Sequence, residues 1–99
     1  MKEIILNDVL QGKNYPEAGS DFYSILKDAI LHSERIYVNM EGVTGMPTMF
    51  MNTSFGKIMS EFGLNKLKGT MIFKNITTVQ IERIKKYFND YTEVYNTPV

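Results

Sequence analysis

The sequence lacks cysteine and tryptophan and has a single histidine among its 99 residues. Without cysteine, the chain has no disulfide framework, no thiolate metal ligand and no thiol nucleophile. The single histidine, His32, has no second imidazole to act with it, and no cluster of carboxylates stands at metal-ligand spacing. We therefore predict neither a metal site nor a cofactor.

Long apolar runs are also missing. A membrane-spanning helix needs roughly 20 apolar residues, whereas the run from Ile4 to Leu6 is short and is bracketed by charged residues. This run is too short for the apolar core of a signal peptide, so we expect a cytoplasmic protein. The hydrophobic fraction of 43% and the charged fraction of 22% are typical of a globular domain.

The chain length predicts one domain over residues 1–99, with its core at about 3–91. Residues 92–99 are predicted either to form a tail or to add a short edge strand through Val94 and Tyr95.

Charge is balanced overall but unevenly placed along the chain. Residues 1–41 carry four basic and seven acidic side chains, whereas residues 57–86 carry seven basic and two acidic ones. A basic excess of this kind attracts acidic partners, so nucleic-acid binding is one alternative function. The side chains that would contact phosphates are Lys57, Lys66, Lys68, Lys85 and Lys86.

The apolar pattern predicts an α/β fold in the order βαβαβα. Compact apolar runs predict three strands, and apolar stripes with helical spacing predict three amphipathic helices. Such an order favours a parallel-containing sheet with right-handed crossovers, covered by these helices. The predicted strands lie within 2–9, 36–40 and 70–74. The predicted helices cover about 16–33, 48–62 and 78–91, and 66–69 is predicted to be a polar turn.

The stretch from Arg35 to Gly63 is predicted to organise the fold. Its strand begins at Ile36 and shows too little alternation for a half-exposed strand, so we expect it to be buried at the centre of the sheet. A glycine-containing loop follows, and Thr48 marks the start of the next helix. Gly63 stands where that helix needs a residue with positive φ.

Three segments, RIYVNMEGVTGMPTMFMNTSFG, LKGTMIFKN and TTVQIERIKKYF, together resemble the STAS-like domains, a bacterial family of uncharacterised proteins. That family is similar in turn to the STAS domains of anti-sigma-factor antagonists. The resemblance covers roughly Ile4 to Tyr91. It implies a STAS-like α/β fold and a role in bacterial intracellular signalling.

In the antagonists, the helix after the central strand begins with a hydroxyl residue that a partner kinase phosphorylates, usually just after an aspartate. The resemblance places Thr48 at the hydroxyl position and Pro47 at the aspartate position. Asn39 stands where STAS-like relatives tend to carry an aspartate. Thr48 is therefore a candidate phosphorylation site by resemblance, while its local sequence favours a helix N-cap. The implied partner is a histidine-kinase-like ATPase or an anti-sigma factor.

The loop and the start of the second helix form the predicted partner-binding site. Methionine makes adaptable binding surfaces as well as filling cores, and we expect Met46, Met49 and Phe50 to be exposed there. The predicted partner-binding residues are Met46, Thr48, Met49, Phe50, Asn52 and Thr53.

Catalysis is not expected, because the sequence shows neither a Ser, His and Asp set nor paired acids, and it has no nucleotide-binding glycine motif. The resulting hypothesis is a non-enzymatic protein-interaction module. A structural protein that self-associates through a sheet edge is a further alternative.

Overall fold

The computed structural model describes the backbone of residues 2–96 and the side chains of residues 2–93. The strands are β1 (Lys2–Ile5), β2 (Ile36–Asn39) and β3 (Met71–Lys74). The helices are α1 (Leu6–Leu10), α2 (Tyr15–Leu31), α3 (Thr48–Met51), α4 (Lys57–Phe62), α5 (Leu64–Thr70) and α6 (Thr78–Asn96). A π-helical turn, Asn52–Gly56, joins α3 to α4. Residues 48–62 therefore form one continuous helical stretch, called here the 48–62 helix.

The three strands form a parallel sheet in the order β1-β2-β3. Val38 on β2 stands beside Ile4 on one side and Phe73 on the other. Ile36 and Val38 are fully buried, because neighbours on both edges and helices on one face exclude water from them. The predictions of an α/β fold, a parallel sheet and a buried central strand are confirmed.

One layer of helices covers one face of this sheet. Phe22 of α2 stacks on Phe50, with ring centroids 5.9 Å apart. Phe22 also meets Phe55 edge-on, and Phe55 in turn meets Phe88 of α6 at 5.5 Å. Since these rings are in contact, α2, the 48–62 helix and α6 all pack around one core.

The side chains that alternate with the core residues point to the opposite face of the sheet. There the Nζ atom of Lys74 lies 2.7 Å from Oε1 of Glu3, and the ammonium lies over the ring of Tyr37 between them. Tyr37 is only partly buried and does not belong to the core cluster. The domain is therefore a sheet with its core on one side, and an ion pair spans the other side.

Three boundaries differ from the sequence predictions. The first strand ends at Ile5. The helix α1 follows it directly, and the Leu6 side chain at the start of this helix is fully buried. The segment predicted as a polar turn is the helix α5, whose Leu67 is fully buried although lysines flank it. The third predicted helix continues through Asn96, so an edge strand at 92–96 is wrong. Residues 97–99 lie outside the described residues.

The helix end predicted at Gly63 is confirmed, and α6 begins with a reciprocal pair of hydrogen bonds. The Gln80 side chain accepts a hydrogen bond from the Thr77 amide at 3.0 Å, and the Thr77 hydroxyl accepts one from the Gln80 amide at 3.1 Å. This reciprocal pair is a capping box. Gly63 has φ +89° and ψ 159°, a region that is essentially restricted to glycine.

Candidate partner-binding site

The loop between β2 and α3 is fixed in place by α6. The Gln80 side-chain amide donates to the Val43 carbonyl at 2.7 Å, and Nε of Arg83 donates to the Met46 carbonyl at 3.0 Å. Backbone carbonyls in a loop lack the hydrogen-bond partners that a helix or a sheet provides. These two side chains supply the missing donors. The start of the 48–62 helix is thereby held against the first turns of α6.

Thr48 is exposed, but the structure contradicts its predicted N-cap role. The cap position is occupied by Pro47, whose backbone is extended and which provides no side-chain acceptor. Thr48 is the first helical residue, and its Oγ1 accepts a hydrogen bond from Nη2 of Arg83 at 2.9 Å. The hydroxyl therefore links the 48–62 helix to α6 and does not cap a helix. Sequence spacing alone did not indicate this contact.

Two predicted contact residues are in the core. Met46 is 4% exposed and Phe50 is 1% exposed. Phe50 is buried because α2 lies against this side of the 48–62 helix, which makes the buried face wider than the single stripe read from the sequence. Met46 is buried where Arg83 fixes the loop. The prediction that Met46 and Phe50 form an exposed patch is wrong.

The remaining predicted residues lie at or near the surface. Met49 is 56% exposed, so its predicted exposure is confirmed. Asn52 is exposed, and its Oδ1 accepts a hydrogen bond from the Tyr87 hydroxyl at 2.7 Å. Thr53 is half-buried, and its hydroxyl donates to the Met49 carbonyl at 3.0 Å and to the Phe50 carbonyl at 3.2 Å.

The structure adds residues of α6 to this site. Val79 is 75% exposed and lies one helical turn before Arg83. Sequence reasoning missed both, because their side chains lie off the apolar stripe of α6, and the Thr48 partner of Arg83 is 35 residues away in sequence. We define the docking surface as Thr48, Met49, Asn52, Val79 and Arg83.

Asn39 links the carboxyl ends of β2 and β3. It is 8% exposed, and its Oδ1 accepts hydrogen bonds from the Glu41 amide at 3.0 Å and from Nδ2 of Asn75 at 2.9 Å. Asn75 has φ +56°, a conformation that asparagine tolerates better than most residues. The side-chain amide of Asn39 therefore joins the two loops that follow β2 and β3 without adding charge.

The lysines of the basic region do not gather on one surface. The Lys57 ammonium lies 4.3 Å from the ring centroid of Tyr23 on α2, and Lys86 pairs with Asp90 at 3.1 Å. Lys68 and Lys85 line one groove, beside β3. Nothing in these contacts favours one continuous phosphate-binding face. Nucleic-acid binding and self-association both stay predictions.

Displaced pKa values occur away from the docking surface, where α2 meets α4. The hydrogen bond from the Tyr23 hydroxyl to Glu61 lowers the pKa of the Glu61 carboxyl and raises that of the Tyr23 hydroxyl. Lys27 lies 3.7 Å from the same carboxylate and also lowers its pKa. This cluster joins two helices through a carboxylate that stays ionised to lower pH than an isolated one.

The described residues contain neither a candidate metal site nor a candidate membrane span. No group of three or more histidine, aspartate or glutamate side chains in that part of the chain could hold a metal ion. None of the described helices has the length and apolar character needed to cross a bilayer.

The fold defines a class of protein: a small α/β domain with a three-stranded parallel sheet covered by helices on one face. Residues 18–80 match the protein family described as a STAS-like domain of unknown function (DUF4325). The chain belongs to this family, and the resemblance drawn from the sequence is confirmed. No curated protein and no solved structure matches the chain.

Proposed function

We propose that this domain is a non-enzymatic protein-interaction module of cytoplasmic signalling in bacteria, and that it binds its partner through the docking surface. The observation that carries the proposal is that the Thr48 hydroxyl and the Arg83 guanidinium are in contact and that each has an exposed apolar residue near it along its own helix. Met49 follows Thr48, and Val79 lies one helical turn before Arg83. Exposed apolar side chains at the start of a rigid helix provide contact area, and little conformational entropy is lost when they bind. A histidine-kinase-like ATPase or an anti-sigma factor is the proposed partner.

Rigidity of the surface supports the same proposal. Arg83 and Gln80 fix the loop, and Tyr87 contacts Asn52 one turn further along α6. Phe50 anchors the helix start from beneath, against Phe22. A surface held in this way changes little on binding, so a larger share of its contact energy is available for affinity.

Partner binding tests the surface directly. The double variant Met49→Asp and Val79→Asp places two charges where the proposal puts apolar contacts, so we expect at least tenfold weaker binding of any partner recovered by affinity purification and mass spectrometry. Leu31→Asp is the matched control, because Leu31 is 64% exposed and lies at the far end of α2. The docking surface would be contradicted if the double variant and the Leu31→Asp control lost partner binding equally, or if the double variant lost none.

We further propose that phosphorylation of Thr48 regulates this contact. A phosphate would add about two negative charges and strong acceptor oxygens at the first residue of a helix, where the macrodipole favours anions. The Arg83 guanidinium already lies 2.9 Å from the Thr48 hydroxyl oxygen and can bond a phosphate there. The modification would therefore change the charge of the docking surface without unfolding the domain.

For Thr48→Glu we expect an unchanged melting temperature and at least tenfold weaker partner binding, measured by thermal denaturation and by titration calorimetry. Ser60→Glu is the matched control, since Ser60 is an exposed hydroxyl residue on α4, outside the docking surface. If Thr48→Glu bound the partner as tightly as the Ser60→Glu control does, regulation by phosphorylation of Thr48 would be refuted. That result would not contradict the docking surface itself.

A further inference from the structure

A groove of about 290 Å³ lies between β3, α5 and α6, on a side of α6 away from Val79 and Arg83. Its walls are mostly apolar, with Met71 and Phe73 contributed by β3 and with Ile81 and Phe88 contributed by α6. Ile81, which lines the groove, is 36% exposed. The groove is therefore an accessible apolar site at the free edge of the sheet.

The polar side chains of this groove are gathered at one end. They are Lys68 from α5, and Lys85 and Asn89 from α6, the latter two one turn apart. The α6 helix starts near the carboxyl end of the sheet, where Gln80 contacts Val43, and runs back along it. Its residues 85–89 therefore lie toward the amino end of β3, where α5 brings Lys68. The other end, near Ile76 and Ile81, is apolar.

Neither ammonium in the groove is neutralised. No hydrogen bond or ion pair joins Lys68 or Lys85 to another side chain within residues 2–93, whereas four other lysines in that range have acidic partners. No aspartate or glutamate lines the groove. Two unpaired positive charges beside an apolar floor are complementary to an anion that carries an apolar body.

We propose that this groove binds a single-chain carboxylate, with its head group between Lys68, Lys85 and Asn89 and its chain along the floor formed by β3 and α6. The volume of about 290 Å³ suits a ligand at the small end of the scale, because it lies just below the roughly 300–1,000 Å³ of pockets that bind drug-sized molecules. The ligand's alkyl chain excludes water from the exposed edge of Ile81, while its carboxylate accepts hydrogen bonds from the Lys68 and Lys85 ammonium groups, to which no side chain within residues 2–93 is an acceptor.

Octanoate, with 1-octanol as the uncharged analogue, tests the proposal on the 99-residue chain. In ¹⁵N-labelled protein we expect octanoate to shift the amide resonances of Phe73, Ile81 and Asn89, and to leave that of Asn52 unchanged. Because the alcohol cannot accept the same charge-assisted bonds, we expect its dissociation constant to be at least tenfold higher.

Two substitutions separate the head-group end from the floor. The double variant Lys68→Gln and Lys85→Gln should weaken octanoate binding at least tenfold, and Ile81→Asp should abolish it. Lys86→Gln is the matched control, since Lys86 neighbours Lys85 but pairs with Asp90 outside the groove, and it should bind octanoate as the unaltered protein does.

Three results would overturn the assignment. Equal binding of octanol and octanoate would show that the lysines contribute nothing. Undiminished octanoate binding by the double lysine variant would place the carboxylate elsewhere. The third result combines two observations: the amide resonances of the groove shift when only the protein concentration changes, and a dimer of the unaltered protein is lost in Ile81→Asp. Together they would show that the groove binds a second copy of the chain.

Discussion

Replacement of Gly19 by alanine is expected to lower the free energy of unfolding by about 3 kcal/mol, since overpacking a tight contact costs about 1–3 kcal/mol and occasionally more. A Cβ atom at position 19 would lie 1.7 Å from Oγ1 of Thr53 and 2.8 Å from the carbonyl oxygen of Phe50. The hydroxyl belongs to a short, stiff side chain and the carbonyl to the backbone of the 48–62 helix, so neither moves aside without shifting that helix. Urea unfolding followed by circular dichroism measures the loss.

The matched control is Gly69→Ala, because nothing lies within 4 Å of a Cβ at position 69 in α5. In an open helical site alanine is favoured over glycine by about 1 kcal/mol, so this variant should be slightly stabilised. The two substitutions are chemically identical and are expected to have opposite signs. Stabilisation by Gly19→Ala would show that α2 and the 48–62 helix are further apart than the structure places them.

Phe55→Ala is expected to cost about 4 kcal/mol, because removing a buried phenylalanine side chain typically costs about 3–5 kcal/mol. Phe55 is fully buried, and its ring contacts Phe22 of α2 and Phe88 of α6. The alanine variant leaves a cavity between three helices, so amide hydrogen exchange in α6 should accelerate most. Total stabilities of small domains are about 5–15 kcal/mol, so a loss of this size is easily measured.

Met49→Ala provides the comparison on the same helix. Met49 is 56% exposed, and surface substitutions of this kind usually change the free energy of unfolding by less than about 0.5 kcal/mol. A similar loss in both variants would mean that Phe55 does not hold the helices together. That outcome would also remove the support beneath the docking surface, because α6 reaches Phe55 through Phe88.

The candidate site was only partly predictable. Met49 was correctly predicted to be exposed, and the Thr53 hydroxyl bonds the preceding turn as a mid-helix threonine usually does. Phe50 and Met46 were misplaced, because helical periodicity identifies one buried stripe but not a second neighbour packing on the adjoining side. Arg83 could not be foreseen, since its partners Thr48 and Met46 are distant along the chain.

The sequence by itself determined much of the local structure: the three strands, the long helices α2 and α6, the capping box at Thr77 and the positive φ of Gly63. These features depend on side-chain periodicity and on short-range sterics, which a single chain segment already contains. The sequence did not determine the helices α1 and α5. The tertiary structure alone decided that Met46 and Phe50 are buried, that Arg83 contacts Thr48, and that Lys68 and Lys85 meet at one groove. Each of these outcomes requires two elements to pack against each other. The free energy of that packing depends on both elements, so it does not follow from the apolar periodicity of either one alone.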